Sequence, residues 1–294
     1  MSTDPGIEAA IEFLSQVRTA AGNLRTKELR VWYRGLSSCK YTLHPSLLRK
    51  KDRFKNYLVG EGLRLKEKNL FARFQTQAGE LLPKGGSWEI LSAMQHYGVP
   101  TRMMDWTDSL FVALYFALEY EDKDEVEDYS PCIWLLNPFA LNNRALALPQ
   151  DERASKEEAS KKAFIFDQVD RLPENAYKVF IEKKDAIEDK DAANWKAWVC
   201  KWRAWPLELP IATAPIWGHP RALRQHGFFT IHGTDTRPIE EQEKAKDLVE
   251  KVKIPDNLHE PLRQLLQEAG VDHYSLFPDL EGLARKLRHW YKWT

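Results

Sequence analysis

Cysteine is scarce. Cys39, Cys132 and Cys200 are three in 294 residues, an odd number with no paired spacing. Neither a disulfide framework nor a zinc knuckle is expected, and no metal is called for. Long apolar runs are also lacking: no stretch approaches the roughly 20 consecutive apolar residues of a spanning helix, so no membrane partner is expected. The opening residues Met1–Gly6 have neither the basic start nor the apolar run of a signal peptide. Charge of neither sign is in excess, since 43 Lys+Arg meet 43 Asp+Glu for a formal net charge of +0. That excludes a wholly basic nucleic-acid binder and leaves room for a local basic patch. A Gly-rich phosphate loop, a His-x-x-x-His pair, a Gly-x-Ser-x-Gly elbow and a Cys-x-x-Cys pair are all missing, which speaks against P-loop nucleotidases, motif-bearing metalloproteases and ordinary α/β-hydrolases. The expectation is a soluble, cytoplasmic globular protein.

Apolar side chains are present in quantity. At 43% hydrophobic and 29% charged, the chain has enough of them to build a core. Ile7, Ala10, Ile11, Leu14 and Val17 recur at helical spacing, predicting an N-terminal helix within residues 1–28. Leu29–Tyr33 reads as a strand halted at Arg34-Gly35. A basic stretch, Leu48–Arg64, continues as helix through Phe74. Trp88–Tyr97 reads as a helix stopped at Gly98. Pro100 makes Val99–Met104 turn or extended chain. The buried helix Leu110–Leu118 follows, with Thr107 or Asp108 as its N-cap. Pro131–Leu136 reads as an interior strand, Pro210–Ile216 as an edge segment, Arg221–Gln225 as a helical turn and Gly227–His232 as a strand. Residues 239–270 and 280–290 read as amphipathic helices. The organisation is an α/β (α+β) core over 29–235, interrupted by a charged helical insertion at about 145–205, with a helical C-terminal part over 236–294.

Unusual polar residues concentrate in three places. In Tyr33-Arg34-Gly35, Arg34 can hold a phosphate or carboxylate through two parallel hydrogen bonds, while Gly35 lets a ligand come close. The alternative is an arginine paired to a structural carboxylate. The stretch Gln95–Thr107 crowds His96, Thr101, Arg102, Asp105 and Thr107 into a loop between apolar helices, where sites are commonly built. There His96 reads equally as a core histidine, and Arg102 and Asp105 as a buried ion pair. As a site, His96 and Asp105 could also be acid/base partners. In Pro220–Phe229, Arg221 and Arg224 lie three apart on one helix face, followed by Gln225. A fourth feature, Trp195, Trp198, Trp202 and Trp205 amid basic residues, suits base stacking but fits a core-facing stripe better.

Together these segments resemble the FRG domain. Tyr33-Arg34-Gly35 matches its naming tripeptide. Gln95–Thr107 followed by Val112–Ala117 resembles its longest motif, Arg221–Thr230 its third and Leu276–Ala284 its closing one, a resemblance spread over about residues 30–290. A more distant similarity is to Arg-Ser-Glu-type ADP-ribosyltransferases, in Arg34-Gly35 and in Asp105-Trp106-Thr107 before Val112-Ala113-Leu114-Tyr115-Phe116-Ala117. That similarity implies a mixed, split sheet flanked by helices with NAD in its cleft. It would give Arg34 the NAD phosphates or nicotinamide ribose and Thr107 the ribose. Thr101, Arg102, Arg221 and Arg224 are further candidates for binding. The glutamate those enzymes place before the last strand is absent, so Asp105 or Gln225, with His96 nearby, would stand at the scissile bond. The resemblance implies an NAD-consuming enzyme, of the kind found among toxins or phage-defence effectors, with a protein or nucleic-acid acceptor and an antitoxin as partners. The alternative is a non-catalytic module that recognises a nucleotide, a nucleic acid or a peptide.

Overall fold

The computed structural model describes residues 5–24, 30–49, 60–82, 87–119, 129–145, 208–213 and 220–291. The charged stretch after Ala145 and the tryptophans at 195–205 lie outside them. Six strands form one sheet: β1 (Trp32–Leu36), β2 (Met103–Thr107), β3 (Cys132–Leu136), β4 (Ile211–Thr213), β5 (Gly227–Ile231) and β6 (Val249–Lys253). Their order is β4-β5-β2-β1-β3-β6. Every neighbouring pair is antiparallel, so the sheet is not mixed. This is an α+β architecture.

The ladders are uneven. β1 pairs with β3, and β2 with β5, over five residues each. Between β1 and β2, at the middle of the sheet, only Tyr33 and Thr107 are in register. The two central strands part beyond that pair, and the gap becomes the site.

Helices cover one face in two groups. α1 (Pro5–Leu24), α2 (Ser46–Arg49), α3 (Gly60–Ala78), α4 (Ser87–His96), α5 (Leu110–Leu118), α6 (Pro138–Ala145), α7 (Pro220–Arg224), α8 (His259–Glu268), α9 (His273–Leu276) and α10 (Leu280–Trp290) follow chain order. Phe13 and Val17 of α1, Leu114 and Leu118 of α5, and Leu262 and Leu266 of α8 pack with Tyr33, Ile133 and Leu135. Phe71 of α3 and Leu91 and Met94 of α4 pack with Met103, Phe229 and Ile231. Strand alternation places Met103, Asp105 and Thr107 on this same face, so Asp105 stands where the two groups part. On the opposite face Trp32, Met104, Trp106, Trp134 and Leu136 form a second core. There Trp32 stacks on Phe228 at 4.5 Å and Trp106 Nε1 donates to Thr230 Oγ1 at 3.1 Å. Each large apolar side chain buried this way contributes about 1.5–3 kcal/mol.

Several boundaries depart from the sequence-based expectation. β1 does not stop at Arg34-Gly35 but runs through it, because Gly35 lets the strand lie against α5. A Cβ there would collide with the Ala113 carbonyl oxygen and come within 2.7 Å of Ala117 N. Asp105-Trp106-Thr107 is strand, not loop. Ser109, rather than Thr107 or Asp108, caps α5, its side chain accepting from Val112 N at 3.4 Å. Residues 249–253, expected as helix, form edge strand β6, whose residues alternate toward and away from solvent and pair with β3. The C-terminal part is therefore not purely helical. Helix α4 ends as expected, with Gly98 at φ 72° and Val99 N donating to Met94 O at 2.9 Å. Among the described residues no helix is long and apolar enough to cross a membrane.

Candidate ligand-binding site

A cleft of about 440 Å³ opens into the split between β1 and β2, a size suited to a small organic ligand. Of the residues expected at a site, Arg34, Gly35, His96, Asp105, Thr107, Arg221 and Gln225 line it; Thr101, Arg102 and Arg224 do not. Tyr41, Arg49, Ser92, Gln95, Phe116 and Phe228 complete its working surface.

Arg34 crosses the split. Its Nη1 donates to Asp105 O at 2.6 Å and lies 3.9 Å from Asp105 Oδ2. The Nε is buried with no partner among the described residues, as is Ser92 Oγ in the same wall. Buried donors left over in this way are uncommon in folded proteins. Burial holds the Arg34 guanidinium below its ordinary pKa; Asp105 draws it back up and Arg49 pushes it down further. Arg221 is lowered by burial, and Arg49, although exposed, by partial desolvation; Asp105 draws both upward, with Asp279 also acting on Arg221. Three guanidinium groups thus share one carboxylate.

Asp105 is held in place by a short relay. Met103 N donates to Thr101 Oγ1 at 3.0 Å, Thr101 Oγ1 donates to Gln95 Oε1 at 2.5 Å, and Gln95 Nε2 donates to Asp105 Oδ2 at 2.8 Å. Thr101 is 1% exposed. Although outside the lining, it fixes which end of the Gln95 amide meets the carboxylate. Ser46 Oγ accepts from Thr101 N at 3.2 Å and so anchors the turn before β2.

Other expected contacts serve the fold. Arg102 does not pair with Asp105. Its Nε and Nη2 clasp Glu67 at 2.7 and 2.5 Å, and Nη1 donates to His232 O at 3.0 Å and Gly233 O at 3.3 Å. With the guanidinium spent on both sides in the interior, Arg102 is structural. Thr107 Oγ1 donates to Gln225 O at 2.8 Å and accepts from Ser109 N at 3.1 Å, tying β2 to the α7–β5 turn and to the start of α5. Gln225 Nε2 donates to Leu276 O at 3.2 Å. Arg224 is exposed, outside the lining, while Arg221 on the same short helix faces the cleft. Gly35 lines the cleft, but packing against α5 is what demands a glycine there.

The cleft's rear support comes from the chain's last third. Arg221 sits over the Phe277 ring at 4.3 Å, and Phe277 stacks on His273 at 4.3 Å. Gly282 admits the Phe277 carbonyl closely, and Asp279 Oδ1 accepts from Gly282 N at 2.7 Å to start α10. His226, at φ 48°, turns α7 into β5, and its Nδ1 lies 3.1 Å from Asp108 Oδ1. His96 lines the cleft at the end of α4, its ring edge-on to Tyr97 at 4.8 Å. Among the described residues no group of three or more His, Cys, Asp or Glu is placed to hold a metal ion.

Several members of this site, Gln95 and Arg49 among them, were not singled out from sequence. Gln95 opens the longest motif, and its ten-residue spacing to Asp105 gave no sign of a hydrogen bond across the helix–strand turn. Arg49 stood inside the basic run Leu48–Arg64, which read only as chain leading into a helix.

The FRG domain family model matches residues 29–126. The match takes in Arg34, Arg49, Gln95, His96, Asp105 and Thr107 and stops before Arg221, Gln225 and the 276–284 segment, so it covers about a third of the chain rather than nearly all of it. No curated protein and no solved structure matches the chain, and the ADP-ribosyltransferase similarity gains no support from these comparisons.

Proposed function

We propose that the cleft binds NAD and breaks its nicotinamide–ribose bond, passing ADP-ribose to a protein, a nucleic acid or water. The observation that carries this reading is Asp105, the one carboxylate among the described lining residues, pinned by Gln95 and flanked by cationic groups. Arg34 and Arg221 suit the two charges of a diphosphate. Phe116 and Tyr41, 36% and 47% exposed, offer aromatic surface to a nucleoside ring.

In the reaction the C1′–nitrogen bond breaks and its electron pair stays on the ring nitrogen, so nicotinamide leaves neutral. Positive charge develops on C1′ and the ribose ring oxygen, where a fixed carboxylate stabilises it without reorganising. The acceptor's oxygen or nitrogen then bonds to C1′ and sheds its proton to solvent. Asp105 is in register with Phe229 of β5, so a β2 carboxylate reaches the same cleft as Gln225, which precedes β5 and has no acid beside it.

A second reading, recognition without turnover, is favoured by Thr107 and Gln225. Their polar groups, suited to a ribose, are engaged with Ser109, Leu276 and one another. One assay divides the readings: nicotinamide release from NAD by wild type, Asp105→Asn and Arg34→Gln, with and without RNA, DNA or cell lysate. Catalysis predicts release by wild type and a drop of about 100-fold or more in Asp105→Asn. Nucleotide binding with no release under any condition overturns it in favour of recognition.

A further inference from the structure

We propose that Arg49 forms a separate phosphate subsite in this cleft, taking a phosphate that the dinucleotide or the acceptor carries beyond the diphosphate. The inference rests on the nucleotide reading above. Among the described lining residues Arg34, Arg49 and Arg221 outnumber Asp105, the one carboxylate there, by two positive charges. A diphosphate is answered by Arg34 and Arg221, and the cationic nicotinamide ribose by Asp105. Arg49, which only shares Asp105 with the other two, is then the surplus charge.

Its geometry suits that role. Arg49 ends the short helix α2, and its Nε donates to His44 O at 2.5 Å. That bond fixes one edge of the guanidinium plane. Among the described residues neither terminal nitrogen makes a hydrogen bond, so the paired Nη edge remains for a ligand. This edge is the one that meets phosphate oxygens through two parallel bonds. Burial is what lowers the Arg34 pKa most, and repulsion from the Arg49 charge lowers it further. A bound anion relieves that repulsion. Tyr41 also lines the cleft.

The extra phosphate has two sources, the dinucleotide's adenosine ribose or a nucleic-acid acceptor, and two calorimetric arms on the full chain separate them. One compares ADP-ribose with its 2′-phosphorylated form; the other compares a DNA trinucleotide with and without a 5′-phosphate. Wild type is expected to favour the phosphorylated member of at least one pair by about tenfold, the worth of one charge-assisted bidentate contact. Arg49→Gln should bring that pair to parity, and Arg49→Lys should keep part of the preference; an unchanged melting temperature in both shows that the fold is intact. Parity or no binding in both arms of wild type, or a preference that survives Arg49→Gln, overturns the proposal. Neither arm depends on nicotinamide release. A chain that shows the preference but releases no nicotinamide keeps the subsite and loses the catalytic reading; release without preference does the reverse.

Discussion

The start and the middle of β2 treat charge in opposite ways. Just before the strand begins, Arg102 meets a carboxylate of matching shape and two carbonyls in the interior. Three residues on, Asp105 acts on three guanidinium groups, and Arg34 keeps a buried Nε without a partner among the described residues. The same strand thus carries a charge cluster closed on itself and one left open. Closure is what a structural ion pair requires, because a buried charge without its partner is strongly destabilising. An open cluster beside a cleft is instead a place where a ligand supplies the missing groups.

The largest expected effect tests the closed end. Glu67→Gln leaves the Arg102 charge buried opposite a neutral amide. Urea unfolding should show a loss of about 3–5 kcal/mol. A loss below about 1 kcal/mol would mean that the pair does not hold α3 to β2. His232 gives a second measure of the same region. Its carbonyl accepts from Arg102, yet both ring nitrogens are buried without a partner among the described residues. Burial first, then repulsion from His44 and Arg102, pushes its pKa down to about 3, against roughly 6.5 in an unfolded chain. Between those values the unfolded chain takes up a proton that the folded chain refuses. Stability therefore falls as pH drops from 6.5 toward 3, by at most about 1.4 kcal/mol per unit. Urea midpoints at pH 7, 6 and 5 should follow that slope in wild type and flatten in His232→Phe. An unchanged slope in the variant would place the acid sensitivity elsewhere.

Local pattern carried much of this fold. The helix Leu110–Leu118 was legible to the residue because a solid apolar run admits few other readings, although its cap is Ser109 and not the Thr107 or Asp108 expected. The α4 stop was legible because Gly98 tolerates a positive φ that other residues resist. β6 was hidden, since Val249-Glu250-Lys251-Val252-Lys253 carries two apolar residues three apart, a spacing that suits a helix; only the exposed edge of β3 makes it a strand. In the site, Arg34 and Asp105 stood out by residue type, but which arginine meets which acid depends on contacts 35 and 71 positions apart in sequence. No local signal distinguishes Arg102, which is closed in by Glu67, from Arg34, which is not. Gly35 shows the same limit: its sequence setting suggested ligand access, and its neighbour in space turns out to be the Ala113 carbonyl.

The smallest stability effect sharpens the contrast most. Arg34→Gln gives up one hydrogen bond to the Asp105 carbonyl, worth about 0.5–1.5 kcal/mol net. It also removes one of three mutually repelling charges, which offsets part of that loss. Folding free energy should therefore change by no more than about 1 kcal/mol in urea, several-fold less than for Glu67→Gln. Affinity for ADP-ribose should nevertheless fall by tenfold or more, because a charge-assisted diphosphate contact is lost. If Arg34→Gln destabilises the chain as much as Glu67→Gln does, then Arg34 is part of a closed structural pair, and the start and the middle of β2 are alike after all.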